Sequence, residues 1–435
     1  MKTVKVGICG LGTVGSGTFG LLQRNAADIT DRADCHIEVA RVGVRHDNHG
    51  CELGATAVSR DIFEVASDPS VDIVVELIGG TDTALELVRL ALAHGKHVVT
   101  ANKALIAEYG NELLAEAEEA GVSIAYEAAV AGGIPIIKAL REGLAGNRVQ
   151  WLAGIINGTG NFILSEMREK GREFSDVLAE AQALGYAEAD PTFDVEGIDA
   201  AHKLVILAAI AFGMPLEFDK VYTEGISRIE TVDVDYAEEL GYRIKHLGIA
   251  RRSDAGIELR VHPTLIPEKR LLANVNGVKN AVLVEGDAVG PTLYYGAGAG
   301  AEPTASAVVA DIIDLARNLG QGQKLAVPGL GVRSAAIARQ PILPVEEVFT
   351  SWYLRMTAED KPGVLSNVAS ICSDAGVSIE ALIQKEPADG EVRVPVIILT
   401  NRTREAELIK VASQIEALPG IAGAITRIRV EALDG

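Results

Sequence analysis

The chain has 435 residues, of which 48% are hydrophobic and 23% charged, a balance typical of a soluble α/β protein with two or three domains. Its net charge of −20 argues against nucleic acid and anionic membranes as partners, since both require clustered lysines and arginines. The four cysteines lack CxxC spacing and the histidines lack zinc-ligand spacing, which predicts a protein without structural zinc. The sequence shows neither a signal peptide nor an apolar run of ~18 residues, which predicts a cytoplasmic protein.

Strands and helices alternate over residues 1–131. A short strand, a glycine-rich turn, a helix over about 14–25 and a strand over 37–44 form a βαβ unit. Further strands at 71–78 and 97–100 alternate with helices at 83–94 and 104–120. This order predicts a Rossmann-type, doubly wound parallel sheet that binds NAD(P), completed by a helix returning near 303–320.

The pattern changes at residue 132, after which helices and strands mix. Residues 132–320 predict an α+β domain for substrate binding and dimerisation, with helices at 175–184, 197–212 and 235–247 and strands at 149–156, 257–262 and 281–285. Residues 321–349 contain Pro341 and Pro344, a glycine-rich LAVPGLGV stretch and little periodicity, so they predict a linker. Residues 350–435 follow the order βαββαβ, which predicts a ferredoxin-like domain.

A GxGxxG fingerprint follows the first strand and opens the first helix. Gly10, Gly12 and Gly15 let the backbone approach a pyrophosphate, whose charge the helix amides then meet. A tight turn without a ligand is the alternative interpretation. The second strand ends near Arg45, a cation where NAD-specific proteins have a carboxylate, which favours NADP. Asp47 lies only two residues further on, so NAD, or the use of both cofactors, stays open.

Thr100 and Lys103 follow the predicted strand at 97–100, at the carboxyl edge where doubly wound sheets bind ligands. A solvated lysine at the start of the next helix is the alternative. Because a cation is disfavoured at a helix N-terminus, we interpret Lys103 as a contact to substrate and cofactor.

Residues 185–203 carry the most specific signal. Asp199 and Lys203 lie four apart at the start of an apolar helix, which predicts a charge pair bordering a protected cleft. Partial burial there would lower the pKa of the lysine and let it exchange protons. A surface ion pair with the same spacing is the alternative. The excess of carboxylates indicates a substrate that bears an ammonium group; they are Glu188, Asp190 and Asp194.

Three glycine-rich turns, at 127–135, 157–161 and 295–304, suit the exposure of backbone carbonyls and amides to a ligand. By composition alone each is equally well a plain turn. The third enters a helix near Pro303, where a helix N-terminus preceded by glycines can contact a phosphate.

These motifs, in this order, resemble the homoserine dehydrogenase family along essentially the whole chain. The segments concerned are GLGTVG, TANKALIA, EAAVAGGIPII, GIINGTGNFIL, GYAEADPTFDVEGIDAAHKL and GAGAGAEPTASAV. The segment GYAEADPTFDVEGIDAAHKL is the most specific to the family, whereas GxGxxG alone is weak evidence. The ending, with DKPGVL at 360–365, resembles an ACT domain, an amino-acid-sensing module. No kinase-like segment precedes the fingerprint, so we expect a monofunctional enzyme.

The resemblance implies a role for individual residues. Lys203 would donate and accept the proton, with Asp199 beside it and Lys103 contacting both substrate and nicotinamide; proton transfer by Lys103 instead stays open. The substrate's amino group would be held by Glu188, with Asp194 and Tyr186 as further substrate contacts. A bound Na⁺ or K⁺ is implied at the segment matching Glu127, Val130, Gly132 and Ile134. Besides the three fingerprint glycines, the implied cofactor contacts are Thr13, Val14, Arg45, Thr100, Lys103, Gly185 and Gly300.

The implied reaction is the NAD(P)H-dependent reduction of L-aspartate 4-semialdehyde to L-homoserine, in threonine, methionine and isoleucine biosynthesis. Oxidation through a thiohemiacetal is disfavoured, because no cysteine lies between residues 52 and 371. Two alternatives stay open: a 2-hydroxy-acid dehydrogenase of the phosphoglycerate type with an ACT domain, and a non-catalytic amino-acid-sensing protein. The ACT resemblance implies feedback by L-threonine and a homodimer or homotetramer.

Overall fold

The structure is a computed structural model that describes residues 2–46, 50–321, 327–385 and 392–434. Its strands, in chain order, are β1 Thr3–Cys9, β2 His36–Gly43, β3 Ala57–Ser59, β4 Ile73–Glu76, β5 His97–Thr100, β6 Ile124–Ala125, β7 Val149–Ile155, β8 Tyr222–Thr223, β9 Tyr242–Arg252, β10 Ile257–Pro267, β11 Lys279–Gly286, β12 Gly290–Ala297, β13 Phe349–Glu359, β14 Ile379–Gln384, β15 Arg393–Thr400, β16 Thr403–Arg404 and β17 Ile421–Val430.

The α-helices are named in the same way. They are α1 Thr13–Arg24, α2 Ala26–Ala33, α3 Ile62–Ser67, α4 Asp82–Ala93, α5 Lys103–Ala120, α6 Ile136–Lys138, α7 Gly158–Lys170, α8 Phe174–Ala183, α9 Thr192–Val195, α10 Ile198–Phe212, α11 Thr231–Glu239, α12 Ala301–Gln321, α13 Val364–Asp374 and α14 Glu405–Glu416. Among the described residues, none of these helices combines the length and the apolar character that a membrane crossing needs.

The chain divides into two compact units. The first comprises residues 1–158, 199–221 and 278–340, and the second comprises residues 159–198, 222–277 and 341–435. Each unit therefore takes up several separate stretches of the sequence.

The first unit contains a parallel six-stranded sheet of order β3-β2-β1-β4-β5-β6. Strands β4 and β5 are buried along their whole length, as expected for parallel strands covered on both faces. The chain order reverses between β1 and β4, and doubly wound sheets bind ligands at the carboxyl ends beside such a reversal. Helix α12 packs on the core of this sheet through Val308, Ile312 and Leu315. The predicted Rossmann-type sheet is confirmed.

The first unit also holds three antiparallel strands, β12-β11-β7. The second unit holds the strand order β9-β10-β17-β13-β15-β14. Its last part, β13-α13-β14-β15-α14-β17, confirms the predicted ferredoxin-like order. The predicted helix at 235–247 is wrong beyond Glu239: α11 ends there, Gly241 adopts φ +79°, and the chain continues as strand β9.

Candidate active site

Lys203 and Asp199 lie on the first two turns of α10, which is buried along nearly its whole length. The Nζ atom of Lys203 donates to Oδ2 of Asp199 at 2.7 Å. The side chains are 12% and 5% exposed. Since an exposed pair would leave both charges in water, the surface-pair interpretation is wrong. The burial matches a charge pair bordering a protected cleft.

Three further groups of the first unit surround this pair. Nζ of Lys203 also donates to the backbone carbonyl of Ile156 at 2.7 Å, and Nδ2 of Asn157 donates to Oδ2 of Asp199 at 2.8 Å. Both residues directly follow strand β7. The Nζ atom of Lys103, at the start of α5, lies 3.2 Å from the other Asp199 oxygen. One buried carboxylate is thus shared by two ammonium groups and an amide.

Burial alone would raise the pKa of Asp199. The ammonium groups of Lys203 and Lys103 outweigh burial and hold that pKa at about 2. Asp199 is therefore a carboxylate near neutral pH. An ammonium has three N–H donors, and within the described residues the Lys203 ammonium has two acceptors. The third hydrogen is available to a substrate oxygen.

The glycine turn between β1 and α1 fits a dinucleotide. Gly10 adopts φ +96°, and a Cβ there would lie 2.6 Å from the carbonyl oxygen of Leu77. A Cβ on Gly12, in contrast, would meet no atom within 4 Å, so space is open above it. Helix α1 begins at Thr13, followed by Val14, and no side chain caps it. Its first amides can therefore meet a pyrophosphate.

Two further predicted cofactor contacts lie near the carboxyl ends of the parallel strands. Arg45 is exposed two residues after β2, while Asp47 lies outside the described residues. Thr100 ends β5, and its hydroxyl donates to the Glu76 carboxylate at 2.6 Å. Burial raises the pKa of Glu76, whereas the hydrogen bond from Thr100 opposes that shift. At the third glycine-rich turn Gly300 adopts φ +122° just before α12.

The predicted cation segment lies in the first unit and is almost wholly buried. The Glu127 carboxylate accepts the backbone amides of Ile137 at 2.9 Å and Lys138 at 2.8 Å. Among the described residues no donor pairs with the carbonyls of Val130 and Gly132. Buried carbonyls without a donor fit a cation, since such groups otherwise lose their hydrogen bonds to water.

Other details of this segment limit what it can bind. The Ile134 carbonyl already accepts the amide of Ile136 at 2.7 Å. Within the described residues no group of three or more His, Cys, Asp or Glu side chains is arranged to hold a metal ion. The donor set therefore consists of one carboxylate and backbone carbonyls, which suits a weakly bound monovalent ion better than zinc.

The remaining predicted contacts belong to the second unit. Gly185 adopts φ +75° just after α8. The ring of Tyr186 packs edge-on against Phe162 at 5.2 Å. Glu188 has an exposed side chain, and Asp194 lies in the short helix α9. In the first unit the structure brings together Lys103, Asp199 and Lys203.

Sequence reasoning missed Asn157 and Glu76. Asn157 belongs to the quoted turn NGTGN but received no role there. The available signal was its position directly after a buried strand, which also applies to Glu76 at the end of β4. The contact of Asn157 with Asp199 spans 42 residues of sequence, so no local pattern reveals it.

Comparisons with known proteins agree along the chain. Residues 10–127 match the family model described as homoserine dehydrogenase, NAD binding domain; residues 135–313 match that of homoserine dehydrogenase, and residues 352–420 that of the ACT domain. A curated homoserine dehydrogenase of Pseudomonas aeruginosa is 63% identical over 434 residues, with 100% of both chains covered.

Solved structures give the same result. The crystal structure of a homoserine dehydrogenase from Thiobacillus denitrificans is similar at a TM-score of 0.95 and 59% identity, covering 100% of this chain and 99% of that one. A hyperthermophilic archaeal homoserine dehydrogenase in complex with NADPH is similar at a TM-score of 0.62 and 27% identity, covering 74% of this chain and 99% of that one.

Proposed function

This chain belongs to the homoserine dehydrogenase family of NAD(P)-dependent oxidoreductases, and on that premise we propose that it reduces L-aspartate 4-semialdehyde to L-homoserine. In this proposal the product feeds threonine, methionine and isoleucine biosynthesis. The observation that carries the proposal is the buried Lys203–Asp199 pair, whose ammonium keeps one hydrogen for a substrate oxygen.

We assign the proton transfer to Lys203. When bound, the nicotinamide cofactor supplies a hydride to the aldehyde carbon, and the carbonyl oxygen gains negative charge as it becomes an alkoxide. The third N–H of Lys203 delivers the proton to that oxygen. Asp199 and the Ile156 carbonyl fix the direction of the ammonium by accepting its other two hydrogens at 2.7 Å each. Lys103, which shares Asp199, contacts substrate and nicotinamide.

Substrate recognition is assigned to the acidic segment of the second unit, residues 185–196. Glu188 holds the substrate's ammonium group, with Tyr186 and Asp194 as further contacts. This assignment is supported by the exposure of the Glu188 side chain and by the concentration of carboxylates in the segment. A carboxylate is the natural partner of an α-ammonium group.

The cofactor is assigned to the glycine turn, with NADP preferred to NAD. Gly10, Gly12 and Gly15 admit the pyrophosphate, and the first amides of α1 at Thr13 and Val14 meet its charge. Arg45, exposed beyond β2, pairs with the 2′-phosphate. The other proposed cofactor contacts are Thr100, Lys103, Gly185 and Gly300.

A Na⁺ or K⁺ ion is proposed at Glu127, Val130, Gly132 and Ile134. Support comes from the two buried carbonyls without donors. The same segment is tied to the third glycine turn, because the amide of Gly133 donates to the carbonyl of Ala297 at 3.1 Å. A cation held by these residues would stabilise the segment at 127–135 against that turn.

We further propose that L-threonine inhibits the enzyme through the ACT domain and that the protein is a homodimer or homotetramer. ACT domains sense amino acids, and threonine is a downstream product of the proposed reaction. The result that opposes this proposal is a rate and a thermal stability that are both unchanged by millimolar threonine.

The function is tested by turnover. NADPH consumption with L-aspartate 4-semialdehyde is measured for wild type, Lys203→Ala and Lys220→Ala. Loss of the general acid lowers kcat by ~10²–10⁴-fold in Lys203→Ala. Lys220 is the matched control, because it also pairs with an acidic residue, Glu217 at 2.8 Å, yet is exposed. A wild type without turnover supports the non-catalytic alternative, and a Lys203→Ala variant with full kcat removes the proposed acid.

A further inference from the structure

We propose that a cavity of about 530 Å³ in the second unit binds a free amino acid at a site distinct from the Asp360–Gly363 turn of the ACT domain. The cavity lies where β13 and α14 begin and β17 nears its end, next to the segment around β8. Its volume falls within the range of pockets that enclose small molecules. The inference does not depend on the catalytic roles proposed above.

One wall of the cavity is already neutralised. Arg429 donates to both oxygens of Glu405, at 2.5 and 2.8 Å, and to Glu224 at 2.6 Å. Its guanidinium also lies over the ring of Tyr222, 4.8 Å from the centroid. These contacts use the hydrogen-bond donors of the buried Arg429 side chain. The charged groups of a ligand must therefore pair with other residues of the cavity.

Two other arginines line the same cavity without a carboxylate. Within the described residues no ion pair forms at Arg427 or Arg228, and both side chains are exposed. Two arginines that line one cavity offer partners for a carboxylate, because arginine binds that group in a bidentate geometry.

The cavity also offers groups to the other end of an amino acid. Glu346 lines it, is exposed, and has no ion-pair partner among the described residues. The Trp352 indole, over which Arg427 lies at 5.5 Å, has a buried N–H without an acceptor in the described part of the chain. Unpaired cations, an unpaired carboxylate and a buried donor together match a zwitterion.

The cavity is separate from the Asp360–Gly363 turn, and hydrogen bonds link it to the acidic segment. Trp352 is near the start of β13 and Asp360 directly follows its last residue, so they lie roughly 26 Å apart at ~3.3 Å per residue. On the other side, Ser227 donates to Glu196 at 2.7 Å, and the amide of Ile226 donates to the carbonyl of Val195 at 2.9 Å. An occupant that shifts residues 225–228 therefore shifts the end of the acidic segment.

The two tryptophans of the chain provide the test, because Trp352 lines the cavity and Trp151 lies on β7. In a Trp151→Phe background, Trp352 fluorescence is titrated with L-threonine, L-methionine and succinate, each to tens of millimolar. The expected result is a saturable change in fluorescence with an amino acid. Arg427→Gln or Arg228→Gln raises the ligand concentration at half-saturation at least tenfold. Arg393→Gln, an exposed arginine of the neighbouring strand β15, is the control and leaves the change intact.

The Asp360→Asn variant separates this site from the ACT turn. Survival of the response in Asp360→Asn and its loss in the arginine variants supports the proposal. The reverse pattern, or no saturable change with either amino acid, overturns it. A change with succinate equal to that with the amino acids overturns the zwitterion assignment, since succinate has no ammonium group for Glu346. Thermal melts of each variant exclude unfolding as the cause, and Arg228→Gln in its exposed turn keeps the test valid if Arg427→Gln fails to fold.

Discussion

At the residue scale, the buried Asp199 carboxylate is shared by the ammonium groups of Lys203 and Lys103 and by the side-chain amide of Asn157. The four-residue spacing of Asp199 and Lys203 predicted one helix face, and the apolar residues that follow predicted a buried helix. The sequence did not predict that Lys103 and Asn157 share the same carboxylate, because each lies on a different strand end and only the tertiary fold brings them together.

We predict that Asp199→Asn lowers kcat on the order of 10²-fold with a smaller change in KM, because the ammonium of Lys203 loses the charge that orients it. Steady-state kinetics with NADPH and the semialdehyde measure the effect. Asp219→Asn, which alters an exposed aspartate of the same unit, is the control. An equal loss in both variants contradicts a specific orienting role for Asp199.

A second residue-scale prediction concerns Asp311, whose side chain accepts the amide of Glu127 at 2.8 Å. Burial, reinforced by the nearby Glu127 charge, raises the pKa of Asp311 to about 7. The folded state thus binds this proton more tightly than the unfolded chain, whose carboxyl titrates near ~3.9. The resulting stability is fully present below about pH 4 and is lost as the pH rises through 7.

Asp311→Asn keeps an acceptor for the Glu127 amide but removes the titration. We therefore expect the free energy of unfolding of the variant to rise relative to that of wild type between about pH 4 and 7, by on the order of a few kcal/mol. Urea unfolding at fixed salt across this range measures the difference. Parallel stability curves for the two proteins are the contrary outcome.

At the element scale, the glycine turn offers a matched pair of substitutions. A Cβ on Gly15 would lie 2.0 Å from the carbonyl oxygen of Gly10, whereas one on Gly12 would meet nothing. Gly15→Ala is expected to lower the melting temperature by several degrees. Gly12→Ala keeps the melting temperature but blocks the pyrophosphate, raising the KM for NADPH roughly tenfold, equivalent to about 1.4 kcal/mol. Normal cofactor binding by Gly12→Ala contradicts the assigned site.

The predicted helix at 235–247 shows where local pattern fails. Nearly all of β9 is buried on both faces, so its apolar residues do not alternate and their periodicity cannot be told from that of a buried helix. Gly241 was the better signal, because its φ of +79° ends α11 and few residues other than glycine adopt that conformation. Elements with one exposed face, such as α1 and α4, were predicted closely.

At the scale of the whole molecule, the family, the class of fold and the nicotinamide cofactor were predicted from motif order and are confirmed. The sequence did not reveal how closely the ACT strands join the rest of the second unit. Tyr353 and Ile428 pack in one core with Phe162 and Val234, and β17 pairs with β10. These contacts link residues far apart in the chain, which local periodicity does not report.

We predict that truncation after residue 349 destabilises the second unit instead of merely removing regulation, because it opens the core that Tyr353 and Ile428 fill. Losing large buried side chains costs roughly 3 kcal/mol or more each. Thermal unfolding followed by circular dichroism, together with solubility, measures the effect. A truncated chain that melts cooperatively at the wild-type temperature contradicts the prediction and restores truncation as a test of feedback.

The most direct test of the proposed chemistry is a structure of the protein with cofactor and L-homoserine bound. We predict that the substrate hydroxyl oxygen lies within hydrogen-bond distance of Lys203 Nζ, while Nζ keeps its contacts to Asp199 and the Ile156 carbonyl. The hydroxyl-bearing carbon then faces the nicotinamide ring. A ternary complex in which that oxygen is remote from Lys203 and bonded to another donor contradicts the assignment.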